Sequence, residues 1–325
     1  MTAVCRLVLL AGVLLLPGCV REHIQSVVHP VGPQAAEIAW LWWFMFIVLT
    51  VVFVIVLLLF WIAIVRRPAA AASPPALGNR FIVISGIVLP SILLVTLLIF
   101  SANSSVVLRR PAEGISVRVQ GHLWWWEVYY PEHDIHTANE IHIPVGRPVL
   151  LELTSADVIH SFWVPNLSGK IDMVPGQKNP FWIQADKPGV YRGQCAEYCG
   201  LQHALMAFVV VALAPEEFEE WLADKQKTPA QPATAELQRG REIYFAASCD
   251  NCHAIRGISE ARVGPDLTHI GSRLSLGAGI LRNNRGNLAG WIANPQPLKP
   301  GNRMPPSYLR SDELMALVTY LESLK

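Results

Sequence analysis

Charge is scarce in this sequence, and its scarcity excludes one class of function. Only 16% of the 325 residues are charged, and the formal net charge is +1. The chain therefore lacks the basic excess that nucleic-acid-binding surfaces require, and no nucleic-acid partner is expected. It also lacks a visible internal repeat, whereas hydrophobic residues are abundant, at 52%. That abundance indicates membrane segments in addition to soluble domains.

Two stretches have no charged residue at all. Residues 40–65 begin with a cluster of tryptophans suited to the lipid headgroup region, and residues 81–101 carry Pro90 near their middle. Both are long enough to span a bilayer, so residues 20–105 are predicted to form a two-helix membrane hairpin. The loop between the stretches has three arginines: Arg66, Arg67 and Arg80. Because positive charge favours the cytoplasmic side, both chain ends are expected outside a bacterial inner membrane.

Residues 1–19 have the pattern of a bacterial targeting segment. A single basic residue, Arg6, precedes an apolar run that ends in Leu16-Pro17-Gly18-Cys19. This ending resembles a lipoprotein cleavage box, and cleavage there would make Cys19 a lipidated N-terminus, with membrane lipid as a partner. An ordinary signal peptide or an uncleaved anchor is the alternative.

Residues 106–225 have the pattern of an all-β domain. Short β-branched or aromatic runs alternate with Pro/Gly turns, which predicts a sandwich or barrel. Four of these runs are 116–119, 149–154, 179–183 and 208–212. The region closes with a short acidic amphipathic helix over 215–225.

A change of composition marks the next domain boundary. Residues 226–235 are rich in Pro, Thr, Ala and Gln and predict a tether. Residues 236–325 are predicted to be all-α, with helices over 236–247 and 312–324. Ser311 is the expected N-cap of the last helix.

Cysteine is also scarce, and its placement is informative. Of six cysteines, two lie in the targeting segment and four form two close pairs, Cys195 with Cys199 and Cys249 with Cys252. In an oxidising compartment a close pair is a disulfide by default, so each pair needs further support for any other interpretation.

Other soft donors surround the first cysteine pair. His203 and Met206 follow within the same twelve-residue segment, and His160 precedes it. Two thiolates can bridge two copper ions, each keeping one histidine, with the methionine and a main-chain carbonyl as weak ligands. A disulfide explains none of the other donors, and a structural zinc site does not require the methionine. The spacing therefore favours a binuclear copper centre over a disulfide or a zinc site.

At these residues the chain resembles subunit II of cytochrome c oxidase, whose cupredoxin domain holds the copper centre called CuA. The resemblance rests on the membrane helices and on three segments: Gly121-His-Leu-Trp-Trp-Trp126, Asp157-Val-Ile-His160-Ser-Phe-Trp-Val-Pro165 and the copper loop 195–206. It implies six copper ligands, which are His160, Cys195, the Glu197 carbonyl, Cys199, His203 and Met206.

The same resemblance implies further roles. The Glu197 carboxylate would bind magnesium at the interface with subunit I, and Asp157 would support His160. Trp124 would be the aromatic that receives electrons, although a structural interface tryptophan is the alternative. One feature departs from the family: residues 73–101 have no acid, whereas many members carry one near the start of the second helix, linked to a proton channel.

The second cysteine pair belongs to a haem-attachment motif. Cys249-Asp-Asn-Cys252-His253 predicts two thioether bonds to a c-type haem, with His253 as the proximal iron ligand. A redox dithiol followed by an unrelated histidine is the alternative. Met304 is the expected sixth ligand, because the prolines after it favour an extended loop, whereas Met315 is expected in the core of the last helix.

The surroundings of this motif resemble a class I cytochrome c. Gly240 and Tyr244 are expected to meet the last helix near Tyr320, and Gly264-Pro265-Asp266-Leu267 resembles the family's proximal turn. Three other residues are expected to be structural: His269, Trp291 and Tyr308. The predicted fold is thus a membrane α-hairpin, an all-β cupredoxin sandwich and an all-α cytochrome c domain.

The fusion resembles the caa-type oxidases and predicts the electron-donor subunit of a terminal oxidase. Electrons accepted at the haem would pass through CuA to subunit I, where dioxygen is reduced to water, and the tether would keep the two centres within reach. Subunit I, subunit III and a cytochrome c or another donor are the expected partners. A donor subunit of a CuA-containing nitric oxide reductase and a copper-handling lipoprotein stay open as alternatives. A quinol oxidase subunit is disfavoured because that branch lacks the copper ligands.

Overall fold

The computed structural model describes residues 24–66, 75–108, 111 and 113–325 of the chain. The predicted targeting segment 1–19, with Cys19 as its lipidation site, lies outside the described residues, as does Arg67 in the predicted cytoplasmic loop.

Two long apolar helices form the N-terminal part. Helix α1 spans Pro33–Val65, and it begins earlier than predicted because Pro33 occupies the first helical turn, where its missing N–H costs nothing. The second run comprises α2 (Pro75–Val83), a π-helical segment (Ile84–Val88) and α3 (Leu89–Val107). Pro90 explains the π-helical widening, because it cannot donate a hydrogen bond to the preceding turn. Both runs are long and apolar enough to cross a membrane.

Ten strands follow and form a sandwich of two five-stranded sheets. They are β1 (Ile115–His122), β2 (Trp125–Tyr130), β3 (Ile135–Ala138), β4 (Glu140–Pro144), β5 (Val149–Ser155), β6 (His160–Trp163), β7 (Lys170–Met173), β8 (Asn179–Ile183), β9 (Gly189–Cys195) and β10 (Ala207–Leu213). One sheet has the order β3-β2-β1-β5-β8 and the other β4-β10-β9-β6-β7. Most strand pairs are antiparallel, but β1 pairs with β5 and β4 pairs with β10 in parallel.

Alternating side chains from both sheets fill the core of the sandwich. Along β2 every second residue is buried, as expected for a strand with one face on the core. Trp126, Phe162 and Phe208 meet there with ring centroids 4.7–6.2 Å apart. Gly193 makes this contact possible, because a Cβ at that position would lie 2.2 Å from the Phe208 ring. The aromatic packing fixes β6, β9 and β10, the strands that border the copper loop.

Helix α4 (Pro215–Lys225) closes the sandwich, and a separate helical domain follows. Its helices are α5 (Ala235–Ala246), α6 (Arg285–Ala293) and α7 (Ser311–Ser323), with a small antiparallel pair β11 (Ser275–Leu276) and β12 (Leu281–Arg282) that the sequence did not indicate. Helices α5 and α7 cross closely at Gly240, where a Cβ would lie 2.2 Å from the Ala316 carbonyl oxygen. This crossing brings Tyr244 and Tyr320 to a ring distance of 6.4 Å.

The N-cap predicted for the last helix is wrong by one residue. Arg310 is the N-cap, and Ser311 is already helical. The Glu313 carboxylate accepts a hydrogen bond from the Arg310 backbone N–H at 2.9 Å, so an acid in the first turn satisfies the N–H of the N-cap residue itself, a different donor from the one that a serine cap would have bound.

Candidate copper and haem sites

The copper loop connects β9 to β10 and is closed on one side by the start of β6. Cys195 ends β9, and its Sγ lies 3.8 Å from the Cys199 Sγ and 3.9 Å from the His160 Nδ1. His160 begins β6, which is paired with both β7 and β9. These three side chains have their donor atoms within 4.8 Å of one another and are all buried. The sandwich therefore brings a histidine 35 residues upstream onto the cysteine pair.

The other predicted copper ligands lie around the same two sulfurs. Cys199 Sγ is 3.7 Å from the His203 Nδ1 and 3.8 Å from the Met206 Sδ. The backbone oxygen of Glu197 is 3.2 Å from the Cys195 Sγ. A 3₁₀ turn over His203–Leu205 produces this convergence, because it returns the chain to β10 with the methionine completely buried.

The donor set fits copper better than the alternatives. A sulfur separation of 3.8 Å is far from the roughly 2.05 Å of a disulfide, so the pair is reduced. At a metal–sulfur distance of about 2.3 Å, ions on either side of the sulfur–sulfur line can contact both thiolates. A four-coordinate zinc site would leave the Met206 sulfur and the Glu197 carbonyl without a role. Sulfur, imidazole and thioether donors together suit copper.

The surroundings of the two cysteines favour ionisation of the Cys195 thiol and disfavour ionisation of the Cys199 thiol. The hydrogen bond from Cys199 and the one from His160 hold the pKa of Cys195 down at about 3. The Cys195 thiolate and burial raise the pKa of Cys199 above its usual range. Burial works against a charged His160, but its bonds to Cys195 and Asp157 raise its pKa on balance. Binding a cation would supply the charge that lets both cysteines ionise together.

Two neighbours of the copper loop have defined positions. Asp157 Oδ1 lies 2.9 Å from the His160 Nε2, which leaves Nδ1 facing the cysteines. The indole Nε1 of Trp124 donates a hydrogen bond of 2.9 Å to the Cys199 carbonyl oxygen. Trp124 thus contacts the backbone of a predicted copper ligand directly. The Glu197 carboxylate is half-buried, and its Oε1 accepts a 3.3 Å bond from the Tyr198 N–H.

The residues of the haem motif border a cavity of about 300 Å³. Cys249, Cys252, His253 and Met304 all line this cavity. Both cysteines are free thiols, so the pair is not a disulfide. The structure thus collects all four residues that the motif and its methionine predicted.

The orientation of His253 suits an iron ligand. Its Nδ1 donates a 2.7 Å hydrogen bond to the Pro265 carbonyl, so Nε2 is the nitrogen available to a metal. Burial lowers its pKa, which favours the neutral imidazole that binds iron. Gly264 permits this packing, because a Cβ there would lie 2.6 Å from the His253 ring. The turn that contains Gly264 therefore packs closely against the His253 ring.

Met304 is positioned by the polar side chains of its own loop. Its N–H bonds to the Asn302 Oδ1 at 2.9 Å, and its carbonyl accepts from the Gln296 Nε2 at 3.0 Å. Met315 is 37% exposed and does not line the cavity, so the expectation that it is a core residue is wrong. Its helix turns that position away from the core stripe.

The cavity lining fits a large planar group with a polar edge. Apolar side chains dominate, but Arg273 Nε and Ser275 Oγ also line the cavity and are buried without a hydrogen-bond partner among the residues that the structure describes. A haem has carboxylates that can meet such donors, and buried donors without a partner are costly. Sequence reasoning missed both residues, because no motif marks them.

Three residues were expected to be structural: His269, Trp291 and Tyr308. His269 is buried, and its ring nitrogens bond to the Lys325 and Lys225 carbonyl oxygens at 2.9 and 3.0 Å. Trp291 lines the haem cavity. Tyr308 is 97% exposed, so a structural role for its ring is wrong.

The cavity does not belong to the helical domain alone. His122, Leu123, Trp124 and Trp125 of the sandwich line its other side. The tryptophan that bonds to the copper loop therefore also borders the predicted haem site. Sequence reasoning proposed a tether that keeps the two centres within reach, whereas the structure has the two domains in direct contact.

Fold and site together define a class of protein. Two apolar helices, a β-sandwich with a sulfur-rich metal centre and a helical domain with a haem-attachment motif are the parts of a membrane-anchored electron-transfer subunit. Residues 132–213 match the family "Cytochrome C oxidase subunit II, periplasmic domain", and residues 237–325 match "Cytochrome c".

Individual relatives extend this similarity over most of the chain. It is 41% identical over 256 residues to cytochrome c oxidase subunit 2 of Alkalihalophilus pseudofirmus, covering 76% of this chain and 74% of that one. With the Bacillus subtilis protein of the same name the identity is 32% over 270 residues and 76% of each chain. The chain belongs to the cytochrome c oxidase subunit 2 family, and it carries a fused cytochrome c domain.

One solved structure is similar in sequence to part of the chain. The periplasmic domain of subunit II of cytochrome oxidase from Bradyrhizobium japonicum is 30% identical, with a TM-score of 0.35, covering 36% of this chain and 96% of that domain. The predicted fold class is confirmed by the structure and the family matches, with apolar helices, a two-sheet sandwich in the subunit II region and a helical cytochrome c region. Family membership makes the chain part of a haem–copper oxidase complex, and it favours this function over the nitric oxide reductase and copper-handling alternatives.

Proposed function

We propose that this chain receives electrons at a c-type haem and passes them through a binuclear CuA centre to subunit I. The observation that carries the proposal is the convergence of four further donor groups on the Cys195 and Cys199 sulfurs, with contacts at 3.2–3.9 Å. Trp124 supports it, because this side chain contacts the copper loop and also lines the haem cavity.

The residues proposed to hold the metals are those predicted from the sequence. The copper ligands would be His160, Cys195, the Glu197 carbonyl, Cys199, His203 and Met206, with the Glu197 carboxylate toward magnesium at the subunit I interface. The haem would be attached at Cys249 and Cys252, with His253 and Met304 as its axial ligands. When bound, the haem and the copper pair would each supply reversible one-electron redox chemistry.

The protein's own residues would hold the two centres in a dry, fixed environment. His160, Cys195, Cys199 and Met206 are each at most 4% exposed, which limits solvent rearrangement around a change of metal charge. The bond from Asp157 fixes the orientation of the His160 ring. Trp124 would be the aromatic side chain between the centres, its indole N–H on the Cys199 carbonyl.

We further propose a two-pass topology in the bacterial inner membrane. Both apolar helices and the arginine-rich loop support it, with the soluble domains 106–225 and 236–325 on the periplasmic side and residues 226–235 as their linker. Cys19 would be lipidated after removal of residues 1–19. Subunit I, subunit III and a cytochrome c or another donor would be the partners, and subunit I would reduce dioxygen to water with four electrons and four protons.

Optical and electron paramagnetic resonance spectra of the full chain, copper-loaded and produced in a host that attaches haem, test this function. The expected result is a reduced c-type α-band together with a copper signal delocalised over two nuclei. A signal with hyperfine lines from a single copper nucleus, in protein with intact Cys195 and Cys199 thiols, would overturn the CuA assignment. Absence of covalent haem would overturn the route for electrons.

A further inference from the structure

Among the buried ionisable side chains at the contact between the sandwich and the haem domain, the two least exposed come one from each domain. Lys299 of the haem domain is 3% exposed, and Glu140 of the sandwich is 2% exposed. Buried lysine and glutamate side chains are rare unless polar groups compensate the charge. Neither residue belongs to the copper or haem motifs, so each requires its own explanation.

Lys299 is bound entirely by backbone carbonyl groups. Its Nζ donates to the Trp124 and Leu205 carbonyl oxygens of the sandwich at 2.8 and 2.9 Å, and to the Gly277 carbonyl of its own domain at 2.9 Å. An ammonium has three N–H donors, so the three bonds satisfy it completely. This geometry selects lysine, because an apolar side chain has no donor and an arginine is too large and planar for the same position.

Glu140 makes the reciprocal contact from the sandwich. Its Oε1 accepts hydrogen bonds from the backbone N–H groups of Leu274 and Ser275 in the haem domain, at 2.6 and 3.2 Å. The Arg273 guanidinium next to these amides adds a favourable charge interaction. Each domain thus inserts one ionisable side chain among backbone groups of the other.

The two contacts lie where electrons would cross between the domains. Trp124, which binds Lys299 through its carbonyl, binds the Cys199 carbonyl through its indole N–H. Leu205 directly precedes Met206, and Lys299 lies five residues before Met304 on the loop that would supply the sixth haem ligand. One side chain therefore links the backbone of the copper loop to the loop that borders the haem.

We propose that Lys299 and Glu140 are positioning residues that hold the haem domain in one fixed orientation on the Trp124 side of the copper domain. The inference rests on the proposed function. It has the haem domain docked on the copper domain, in place of a mobile donor held only by a tether. Electron transfer weakens steeply with distance, so a fixed contact that includes Trp124 makes the step from haem to copper independent of a docking motion. In that step one ferrous haem iron becomes ferric, and the copper pair gains the one electron released.

Two readouts on the purified oxidase complex test this proposal. The first is the rate of electron transfer from the haem to the copper pair after a flash from a photoreductant, followed by the haem α-band. The second is hydrogen–deuterium exchange of the segment with the Leu274 and Ser275 amides, which reports docking without any electron transfer. The variants are Lys299→Met and Glu140→Leu, which remove the charge and the hydrogen bonds, and Glu140→Gln, which keeps an acceptor oxygen. Lys178→Met is the matched control, because its side chain is 69% exposed.

The expected result is a transfer rate at least about tenfold lower in Lys299→Met and Glu140→Leu, which corresponds to the 1.4 kcal/mol that one decade represents. Exchange at Leu274 and Ser275 should accelerate in both, including Lys299→Met, whose side chain does not touch those amides. Glu140→Gln should stay closer to the unmodified protein, and Lys178→Met should match it. Unchanged haem and copper spectra would show that the variants are folded.

A transfer rate within twofold of the unmodified protein in Lys299→Met and Glu140→Leu would overturn the proposal. Unchanged amide exchange in those variants would overturn it as well, because the domains would then be held by other contacts. Failure of the underlying function has a different signature: the unmodified protein itself would lack the two-copper signal or the transfer from haem to copper.

Discussion

The copper loop and the haem cavity arrange their predicted ligand residues in different ways. In the sandwich, strands fixed by a continuous aromatic core bring small donor atoms to within 4 Å of one another. In the helical domain, the predicted ligand residues line a cavity of about 300 Å³. The difference follows from the size of the predicted cofactor. A metal ion requires donor atoms that converge on one point, whereas a haem requires a cavity.

The comparison predicts different dependence on the cofactor. The sandwich has a hydrophobic core of its own, so we expect it to fold without the metal. A domain whose cavity is lined by apolar side chains from several elements loses their packing contacts when the cavity is empty. The haem domain should therefore depend on its cofactor for stability, and the copper domain should not.

The double substitution Cys249→Ala/Cys252→Ala has the largest expected effect and tests this difference in cofactor dependence directly. We expect complete loss of covalent haem and a haem domain that is sensitive to protease, because neither thioether bond can form and the cavity stays empty. The two-copper signal should persist, because the sandwich has its own core. Equal loss of copper would contradict the independence of the sandwich. Haem staining after denaturing electrophoresis and copper resonance spectra provide the measurement.

Asp157→Asn should weaken the copper site and leave the haem untouched. Asp157 accepts bonds from the His160 Nε2 and from the Leu123 and Val158 N–H groups, at 2.8–2.9 Å. Loss of such a support costs roughly 10–100-fold in metal affinity. Competition with a copper chelator measures the change, with the haem α-band as the internal control. An affinity within twofold of the unmodified protein would mean that the sandwich alone fixes the His160 ring.

Met206→Leu should have a smaller, tuning effect. The thioether is completely buried and lies 3.8 Å from the Cys199 sulfur, so leucine keeps the packing volume and removes a weak donor. We expect a shifted reduction potential of the copper centre with haem attachment unchanged, because a weak ligand mainly tunes the potential. A redox titration followed by copper absorbance measures it. Loss of haem and copper together would indicate misfolding instead.

The smallest expected effect concerns the acid stability of the sandwich. Burial, and to a lesser extent Lys225, lowers the pKa of His142 to about 3, and its ring stacks on Trp221 at 4.4 Å. The unfolded chain, with a histidine pKa of about 6.5, binds a proton that the folded chain rejects, so stability is lost as the pH falls below about 6.5.

The slope should reach about 1.4 kcal/mol per pH unit for this one group, and it should be absent in His142→Phe, which keeps an aromatic ring beside Trp221. Thermal unfolding followed by copper absorbance at pH 7 and pH 5 measures the difference. The same pH dependence in both proteins would contradict the assignment to His142.

Local patterns in the sequence predicted most of the elements and the ligand residues. Alternation and apolar runs anticipated strands such as β5 and β8 and both long helices, because these depend on neighbours along the chain. The sequence did not indicate β11 and β12, which are only two residues long. The N-cap at Arg310 was missed because an arginine side chain has no acceptor oxygen and is not a usual cap. The bond at this helix end comes from Glu313, three residues later, which accepts the Arg310 N–H.

The chemistry predicted for the two sites follows from short sequence patterns. The spacing of Cys195 and Cys199, and the five-residue motif ending in His253, depend on residues close together in the chain. The position of the two sites relative to each other follows from the tertiary fold, not from any short pattern. Lys299 and Glu140 are an ordinary lysine and glutamate in the sequence, and their burial depends on backbone groups up to 175 residues away. No local pattern encodes such a contact, because the partners are main-chain atoms whose positions exist only after both domains have folded.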